Sequence, residues 1–270
     1  MIIIKFGGSV ITHKAKKGIF NSNTTQQLLE ELRKFFDTSS DIKVKPNADF
    51  DLILVHGAGS FGHISASKYQ LDKGYKNDKQ LIGLSEVHND VRDLNLRFMN
   101  QLLLNGFPGI SIPPMVIVRN RAKMVGYMDT EIFKKVLDMH CIPVTFGDVV
   151  PDDSLGFSIC SGDSIIQKLA EAYKPERVIF ITDVDGLYTS NPALDKDAKL
   201  IDELTDKSFS KAVTSQNVNP DVTGSIHLKA KIALALAKAG VESYIINGNV
   251  KGRLTAALTG TGFIGTVAKV

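Results

Sequence analysis

Five short segments of this chain are almost continuously apolar, and segments of helix length lie between them. Apolar residues at successive positions, such as Ile2, Ile3 and Ile4, indicate strands covered on both faces, which is typical of a parallel sheet. The predicted strands are residues 2–6, 52–55, 143–146, 178–182 and 243–246. The predicted helices are residues 24–36, 80–104, 130–140, 163–173 and 225–239. This alternation predicts an α/β fold, a three-layer αβα sandwich in which helices cover both faces of a mainly parallel open sheet.

The composition limits the class of protein. A chain of 270 residues that is 43% hydrophobic is long enough for one large domain or two joined lobes with a substantial core. The net charge of +3 is too small, and the lysines are too dispersed, to predict nucleic-acid binding. No apolar run approaches the roughly 18 residues of a membrane span, and we identify no signal peptide. We therefore expect a cytoplasmic protein. Cys141 and Cys160 lie in apolar surroundings and form no C-x-x-C pattern, so we expect them to be buried, reduced thiols.

Two adjacent glycines, Gly7 and Gly8, follow the first predicted strand. A glycine pair lets the backbone turn sharply and present its N–H groups to an anion. Lys5 ends the strand, Ser9 follows the glycines, and Lys14 supplies a second mobile positive charge within reach of the same turn. These residues indicate phosphate binding, although an ordinary strand-to-helix turn beside a solvated lysine fits them as well. The chain contains no P-loop of the G-x-x-x-x-G-K-[ST] type.

A second glycine-rich turn, reading HGAGSFGH over residues 56–63, follows the second predicted strand. Its glycines and the start of the next helix form another candidate phosphate cradle. Two such turns after two parallel strands are suited to holding both ends of a phosphoryl group in transfer. His63 is a candidate donor to a phosphate on the acceptor, and its charge near neutral pH suits that role; a surface or capping role is the alternative. We interpret His56, which ends the strand, as structural.

Two carboxylates and a third lysine extend the candidate site. Asp183 follows the predicted strand 178–182, where it either orients lysines or approaches Mg²⁺ on a nucleotide, or simply forms a turn. Asp163 opens a predicted helix that Ser161 is placed to cap, so it either suits the positive helix end or pairs with the lysines. Lys229 lies in the first turns of another helix, against the helix dipole, which is expected beside an anionic ligand but also for an exposed lysine.

Taken together, these segments resemble the amino acid kinase superfamily over residues 1–267, in the order in which the superfamily has them. Within it the chain is most similar to the isopentenyl phosphate kinase family, because ITHK follows the first glycine turn and His63 ends the second. The resemblance implies one amino acid kinase domain over residues 1–270, with an acceptor-binding lobe at about 1–175 and a nucleotide-binding lobe at about 176–270. It also implies phosphorylation of isopentenyl phosphate to isopentenyl diphosphate in an alternative mevalonate route, with ATP and Mg²⁺, in a homodimer.

The resemblance further implies roles for individual residues. Lys5 would bridge the ATP phosphates and the acceptor, Lys14 would stabilise the transferred γ-phosphoryl group, and Asp163 would order the lysines. With His63, which would bind the acceptor phosphate, these form the implied catalytic set. The residues implied in nucleotide binding are Lys5, Gly7, Gly8, Ser9, Gly59, Asp183, Gly224 and Lys229. The residues implied in acceptor binding are Ala58, His63 and Gly162. No residue is implied as a direct metal ligand.

The sequence departs from the commoner family pattern at Ala58, Ser164 and Ser225. Ala58 stands in place of a glycine, which is tolerated if its φ is negative. The hydrocarbon tail of the acceptor needs an apolar pocket, and the candidates for lining it are Ile82, Leu84, Val87 and residues 142–146. We also expect mobility in the polar segment 38–47 and a flap beside the site at residues 72–79.

Other functions stay open on this sequence. A kinase of the same fold for another phosphate or phosphonate acceptor, such as a fosfomycin kinase, shares the histidine, whereas a UMP kinase fits it less well. From a different class, the chain is a possible nucleotide-binding regulator that senses ATP without turnover. Lys5, Lys14, Asp163 and Lys229 argue against such a sensor, which has little need of charges around the γ-phosphate.

Overall fold

The structure, a computed structural model, describes residues 1–39, 51–192, 194–215 and 220–269, apart from the side chains of residues 38–39, 213–215 and 220–225. Its strands are β1 (Ile2–Phe6), β2 (Leu52–His56), β3 (Gly109–Ser111), β4 (Val118–Arg121), β5 (Met124–Met128), β6 (Ile142–Phe146), β7 (Asp148–Asp152), β8 (Gly156–Cys160), β9 (Arg177–Thr182), β10 (Glu242–Asn247) and β11 (Thr266–Ala268). Its helices are α1 (Gly8–Ile11), α2 (Ser22–Ser39), α3 (Gly59–Lys68), α4 (Lys79–Leu104), α5 (Pro114–Ile117), α6 (Glu131–Asp138), α7 (Gly162–Tyr173), α8 (Asp206–Ser215), α9 (Pro220–Lys238) and α10 (Arg253–Thr259).

The larger sheet has the strand order β11-β10-β9-β1-β2-β6-β3. Its strands pair in parallel, except for the antiparallel pair β10–β11. β1 lies in the middle, with β2 on one side and β9 on the other. Because the chain leaves β1 toward one side of the sheet and later returns on the other, the loops after β1, β2 and β9 diverge and leave a crevice at the carboxyl edge.

Helices cover both faces of this sheet, and β1 shows how the sequence determines the two faces. Ile3 packs into a core with α6, α7 and α9, whereas Ile4 and Phe6 pack into a second core with α2, α4 and α10. Phe6 meets Phe98 of α4 edge to face, with ring centroids 5.0 Å apart. Since side chains alternate along a strand, Lys5 shares the Ile3 face and therefore points toward α7 and α9.

The predicted αβα sandwich is confirmed, and each of the five predicted strands and five predicted helices is present, with differences at its ends. The largest difference is at α9, which begins at Pro220 and not at residue 225; Lys229 therefore lies in the middle of the helix, and the expectation that it lies in the first turns was wrong. The sequence did not predict β3, β11 or a second sheet of four strands in the order β5-β4-β7-β8. The predicted mobile segment 38–47 lies outside the described side chains. In the segment 72–79, a 3-10 turn (Leu71–Lys73) comes first and α4 begins at Lys79, so that a flap there stays a prediction.

Two further expectations from the sequence concern the cysteines and membrane-spanning helices. Cys141 and Cys160 are both free thiols. Among the described residues, no helix combines the length and apolar character that crossing a membrane requires.

Candidate functional site

Glycines begin several of the loops that leave the carboxyl edge of the larger sheet. The N–H of Gly7 donates to Ile181 O at 2.9 Å, the N–H of Gly57 to Phe6 O at 2.9 Å, and the N–H of Gly147 to His56 O at 3.0 Å. Each of these bonds extends the strand pairing by one residue into the loop. The loops after β1, β2 and β6 therefore leave the sheet side by side and form one continuous rim.

The two glycine-rich loops contact each other directly, backbone to backbone. A Cβ atom on Gly8 would lie 2.5 Å from Gly59 Cα, and a Cβ atom on Gly57 would lie 2.6 Å from Gly8 N. Gly59 itself has φ +50, a left-handed conformation that side chains rarely adopt. Ala58 has φ −73, so the negative φ that the sequence required of this residue is confirmed. Glycine is thus needed here because the two loops leave no room for side chains between them.

Lys5, Asp163 and Lys229 form a buried ionic cluster between β1, α7 and α9. Lys5 Nζ lies 2.6 Å from Asp163 Oδ1, and Lys229 Nζ lies 3.4 Å from Asp163 Oδ2. Asp163 is held at the start of α7, where Ser161 Oγ accepts from the N–H of Ser164 at 3.1 Å as the sequence predicts for a cap. One carboxylate thus faces two ammonium groups, which leaves the cluster with a net positive charge.

Burial and charge together determine the protonation of this cluster. The three residues are 4–6% exposed. Burial lowers the pKa of Lys5 to about 8; Asp163 opposes this shift and Lys229 adds to it. Burial alone would raise the pKa of Asp163, but the two lysines outweigh that effect and hold the pKa below its usual range. Asp163 is therefore ionised at neutral pH, and Lys5 loses its proton more readily than an ordinary lysine.

The ammonium group of Lys14 lies on the opposite side of the glycine loops, next to the residue that follows β9. It forms an ion pair with Asp183, whose other carboxylate oxygen accepts from Ser9 Oγ at 2.7 Å. Burial would raise the pKa of Asp183, but its hydrogen bonds with Lys14 and Ser9 leave that pKa lowered. The Lys14 side chain is 63% exposed, so it is free to exchange this carboxylate for another anion at small cost.

His63 lies at the other end of the site, exposed on the second turn of α3. Its partial withdrawal from solvent lowers its pKa, and the positive charges of Lys5 and Lys229 lower it further. The charge that the sequence suggested for His63 near neutral pH is therefore disfavoured in the unliganded protein. A neutral imidazole still offers one N–H donor, and a bound phosphate dianion would favour the charged form.

One cavity of about 1140 Å³ collects almost all of the predicted site residues. Those lining it are Lys5, Gly7, Gly8, Ser9, Lys14, Ala58, Gly59, His63, Gly162, Asp163, Asp183 and Lys229. Gly224 falls among residues 220–225 of α9, outside the described side chains. His56 does not line the cavity: it is fully buried, its Nδ1 lies 3.0 Å from Gly57 O, and burial lowers its pKa to about 4. His56 therefore supports the loop from below, as the sequence indicated.

An apolar recess extends from the His63 end of the cavity. It is formed by Ile64, Ala66, Val87, Val91, Val149 and Ile159. Of the residues suggested from the sequence, only Val87 is among the lining residues described. The prediction for Ile82 was wrong, because its side chain is 68% exposed and does not line the cavity. The prediction for Leu84 was wrong as well, because Leu84 lines a separate apolar cavity of about 320 Å³. Residues 142–146 do not line the recess either, because β6 is buried on both faces within the sheet.

The sequence missed several residues of the site, of which Asp148 and Thr12 are the most informative. Asp148 comes just after β6, at the same carboxyl edge of the sheet as Asp183. This position in the sequence could have identified it as a candidate site residue. Burial raises the pKa of Asp148 to about 6, and His88 Nδ1, 2.8 Å away, limits the shift. Thr12 was noted only as part of a motif, although its hydroxyl connects the two glycine loops.

Comparison with known proteins places this geometry in a family context. Residues 1–247 match the model of the amino acid kinase family. The chain is 36% identical to an isopentenyl phosphate kinase of Methanothermobacter thermautotrophicus, with 98% of each chain covered. It is 33% identical to an isopentenyl phosphate kinase of Thermoplasma acidophilum over 100% of both chains. An X-ray structure of isopentenyl phosphate kinase superposes with a TM-score of 0.83 at 33% identity, covering 100% of both chains.

Proposed function

The chain belongs to the amino acid kinase family and within it to the isopentenyl phosphate kinases, and we propose that it transfers the γ-phosphoryl group of ATP to isopentenyl phosphate. The products are ADP and isopentenyl diphosphate. One observation carries the proposal: the buried cationic cluster lies in a cavity that also holds Lys14 and Asp183 and that is lined by the apolar recess near His63. Such a cavity suits a nucleotide on one side and a phosphate with a short hydrocarbon tail on the other.

We propose that the protein acts by holding two anions together and neutralising the charge that develops between them. The nucleophile is an oxygen of the acceptor phosphate, which is already an anion, so the reaction needs no strong general base. This oxygen attacks the γ-phosphorus in line and ADP leaves. Lys5 and Lys229 would lie against the phosphates of ATP and Lys14 against the transferred group, while Asp163 orders the two buried lysines.

The nucleotide would bind along the loop after β1 and at the end of β9. Backbone N–H groups of Gly8 and Gly59 would face its phosphates, with Gly7, Ser9 and Asp183 beside them. ATP would arrive with Mg²⁺, and Asp183 fits that ion because Mg²⁺ in kinases is held by one or two carboxylates together with phosphate oxygens and waters. When bound, Mg²⁺ supplies positive charge to the phosphate oxygens.

The acceptor phosphate would lie between Ala58, His63 and Gly162, and its tail would enter the recess formed by Val87, Val91 and their neighbours. Gly62 of α3 connects these two parts, because it packs against Ala58 on one side and against Val91 of α4 on the other. A Cβ atom on Gly62 would lie 2.7 Å from Ala58 Cβ and 3.1 Å from Val91 Cγ1. The phosphate-binding turn and the apolar wall are therefore in direct contact, as a molecule with a phosphate at one end and a five-carbon chain at the other requires.

Replacement of His63 by alanine should raise KM for isopentenyl phosphate about 10- to 100-fold, because one hydrogen bond to a charged group contributes about 1.5–3 kcal/mol. KM for ATP should change little, since His63 lies at the acceptor end of the cavity. Steady-state kinetics with each substrate varied in turn checks this. An unchanged KM for isopentenyl phosphate with full activity would return His63 to a surface role.

The low pKa of Lys5 predicts an alkaline limit to activity. Lys5 carries its charge below its pKa of about 8 and loses it above, so kcat/KM for ATP should fall as the pH rises through about 8. The corresponding fall in kcat should come at higher pH, because bound phosphates favour the charged form of Lys5. Profiles of both parameters from pH 6 to 10 measure the two limits. A kcat/KM that stays level to pH 10 would contradict the role of Lys5.

We also propose the organisation and setting that the family resemblance implies. The acceptor-binding lobe would comprise about residues 1–175 and the nucleotide-binding lobe about 176–270. A homodimer is supported by exposed leucines on α4, namely Leu96, Leu103 and Leu104, beside the sheet-edge strand β3. The mass in solution tests this. The two free thiols fit a cytoplasmic location.

The acceptor assignment is tested by measuring ADP release with Mg·ATP and a panel of acceptors. The panel contains isopentenyl phosphate, dimethylallyl phosphate, fosfomycin, UMP and acetylglutamate. Selective turnover of isopentenyl phosphate is the expected result. Selective turnover of fosfomycin or UMP would overturn the acceptor and keep the phosphoryl-transfer machinery. No ADP release above the acceptor-free rate with any of the five would favour the ATP sensor.

A further inference from the structure

We propose that Thr12 is a positioning residue whose hydroxyl sets the separation between the nucleotide loop (residues 7–9) and the acceptor loop (residues 57–60). Thr12 is 3% exposed and follows α1. The proposal rests on the function proposed above, because it assigns the two phosphates to these two loops. What it adds is a single side chain that acts on neither phosphate and yet controls how far apart they lie.

The Thr12 hydroxyl uses both of its hydrogen-bonding capacities, one on each loop. Thr12 Oγ1 donates to Gly8 O at 2.7 Å and accepts from the N–H of Ser60 at 3.0 Å. The N–H of Thr12 also donates to Gly8 O, at 3.0 Å, so the threonine is fixed to the nucleotide loop by two bonds. Its bond with Ser60 then connects that loop to the acceptor loop.

The position of Ser60 explains why its N–H is available for this bond. Ser60 lies in the first turn of α3, where backbone N–H groups have no partner within the helix. Such groups usually bind a side chain just before the helix, or an anion. Here the partner comes from Thr12, which is 48 residues earlier in the chain. The bond therefore acts as a helix cap that is supplied by the opposite loop.

Packing limits how closely the two loops approach each other, but it does not hold them together. The hydrogen bonds between β1 and β2 fix the two chains relative to each other only as far as the bond from the Gly57 N–H to Phe6 O. Beyond that point Gly8 and Gly59 meet backbone to backbone, and a Cβ atom on Gly59 would collide with Thr12 Oγ1. Without the hydroxyl, the loops are free to separate or slide by a fraction of an ångström. Phosphoryl transfer is sensitive to such a change, because a misplacement of 1 Å costs about 10²-fold in rate.

Thr12→Val, which keeps the shape and removes the hydroxyl, should therefore lower kcat about 10- to 100-fold. KM for each substrate should stay within about threefold, because each loop keeps its own phosphate contacts. Thr12→Ser keeps the hydroxyl and should restore most of kcat. Thr25→Val is a matched control, because Thr25 is fully buried and its hydroxyl also donates to a backbone carbonyl four residues earlier, 2.8 Å away at Asn21. Thr25→Val should leave kcat unchanged.

The comparison is made with whichever panel acceptor the wild-type protein phosphorylates, so failure of the isopentenyl phosphate assignment does not affect it. Wild-type kcat in Thr12→Val would overturn the proposal, and so would an equal loss of kcat in Thr12→Ser or Thr25→Val. Hydrogen exchange of the wild-type protein adds a test that holds even if Thr12→Val does not fold. The Ser60 amide should be protected, and free exchange there would overturn the bridge.

Discussion

Replacement of Lys14 by methionine should lower kcat about 10³-fold while the affinity for ATP changes by less than about threefold. The reason is the position of Lys14 in the unliganded site. Its ammonium group reaches past the glycine loop to Asp183, and its side chain is 63% exposed. A lysine held only by an exposed ion pair contributes little to stability, so its removal should act on the chemistry and not on the fold. ATP keeps its contacts with the buried lysines and the loop backbone.

Lys16→Met is the matched control for Lys14→Met. Lys16 lies on the same loop and is exposed, but it is not among the residues that line the cavity. Its replacement removes the same charge from the same segment, so it reports the general effect of charge on substrate attraction. Steady-state kcat and ATP affinity, measured by calorimetry for the three proteins, separate these effects. A kcat in Lys14→Met within fivefold of that in Lys16→Met would remove Lys14 from the mechanism.

The central sheet could be predicted from the sequence because its strands are buried on both faces. A run such as that of β9, in which Val178, Ile179, Phe180 and Ile181 are all fully buried, leaves few alternatives to a parallel strand. The second sheet could not be predicted, because its strands carry mixed sequences. β4 reads VRNR and β5 reads MVGYM, which show no clear strand pattern. They pair with each other as a hairpin, and only β4 pairs with a strand distant in the chain, β7.

Once the strands are predicted, their order along the chain also predicts the charged groups of the site. Lys5 lies near the end of β1 and Asp183 follows β9, and parallel strands bring such positions to one edge. The Asp163–Lys229 contact joins residues 66 apart: Asp163 lies at the start of α7, whereas Lys229 lies in the middle of α9. The Thr12–Ser60 bond had no such signal, because a hydroxyl bound to a backbone N–H depends on atomic placement and leaves no pattern of residue types. The apolar recess was misjudged on similar grounds, since Val149 and Ile159 lie in the strands of the second sheet.

Replacement of Asp163 by asparagine should affect both stability and catalysis. The carboxylate lies between two buried ammonium groups, 2.6 Å from Lys5 Nζ and 3.4 Å from Lys229 Nζ. Removing one partner from a buried ionic cluster leaves charge without compensation, which costs about 3–5 kcal/mol in the free energy of unfolding. Urea denaturation measures this loss. Asp138→Asn is the control, because Asp138 forms an ion pair with Lys134 on the exposed face of α6. The urea concentration at the unfolding midpoint of this variant should match that of the wild-type protein.

The pH dependence of Asp163→Asn separates the loss of charge from a general loss of structure. In the wild-type protein Asp163 raises the pKa of Lys5 against the effect of burial, and the balance lies at about 8. Without the carboxylate, burial and Lys229 act unopposed, so the pKa of Lys5 falls below 8 and Lys5 becomes neutral at lower pH. The alkaline fall in kcat/KM for ATP should therefore move to lower pH, and the residual activity of the variant should rise as the pH is lowered from 8 toward 6. If the variant is folded and its profile has the wild-type shape at reduced height, Asp163 does not control the charge of Lys5, and the electrostatic reading of the cluster is wrong.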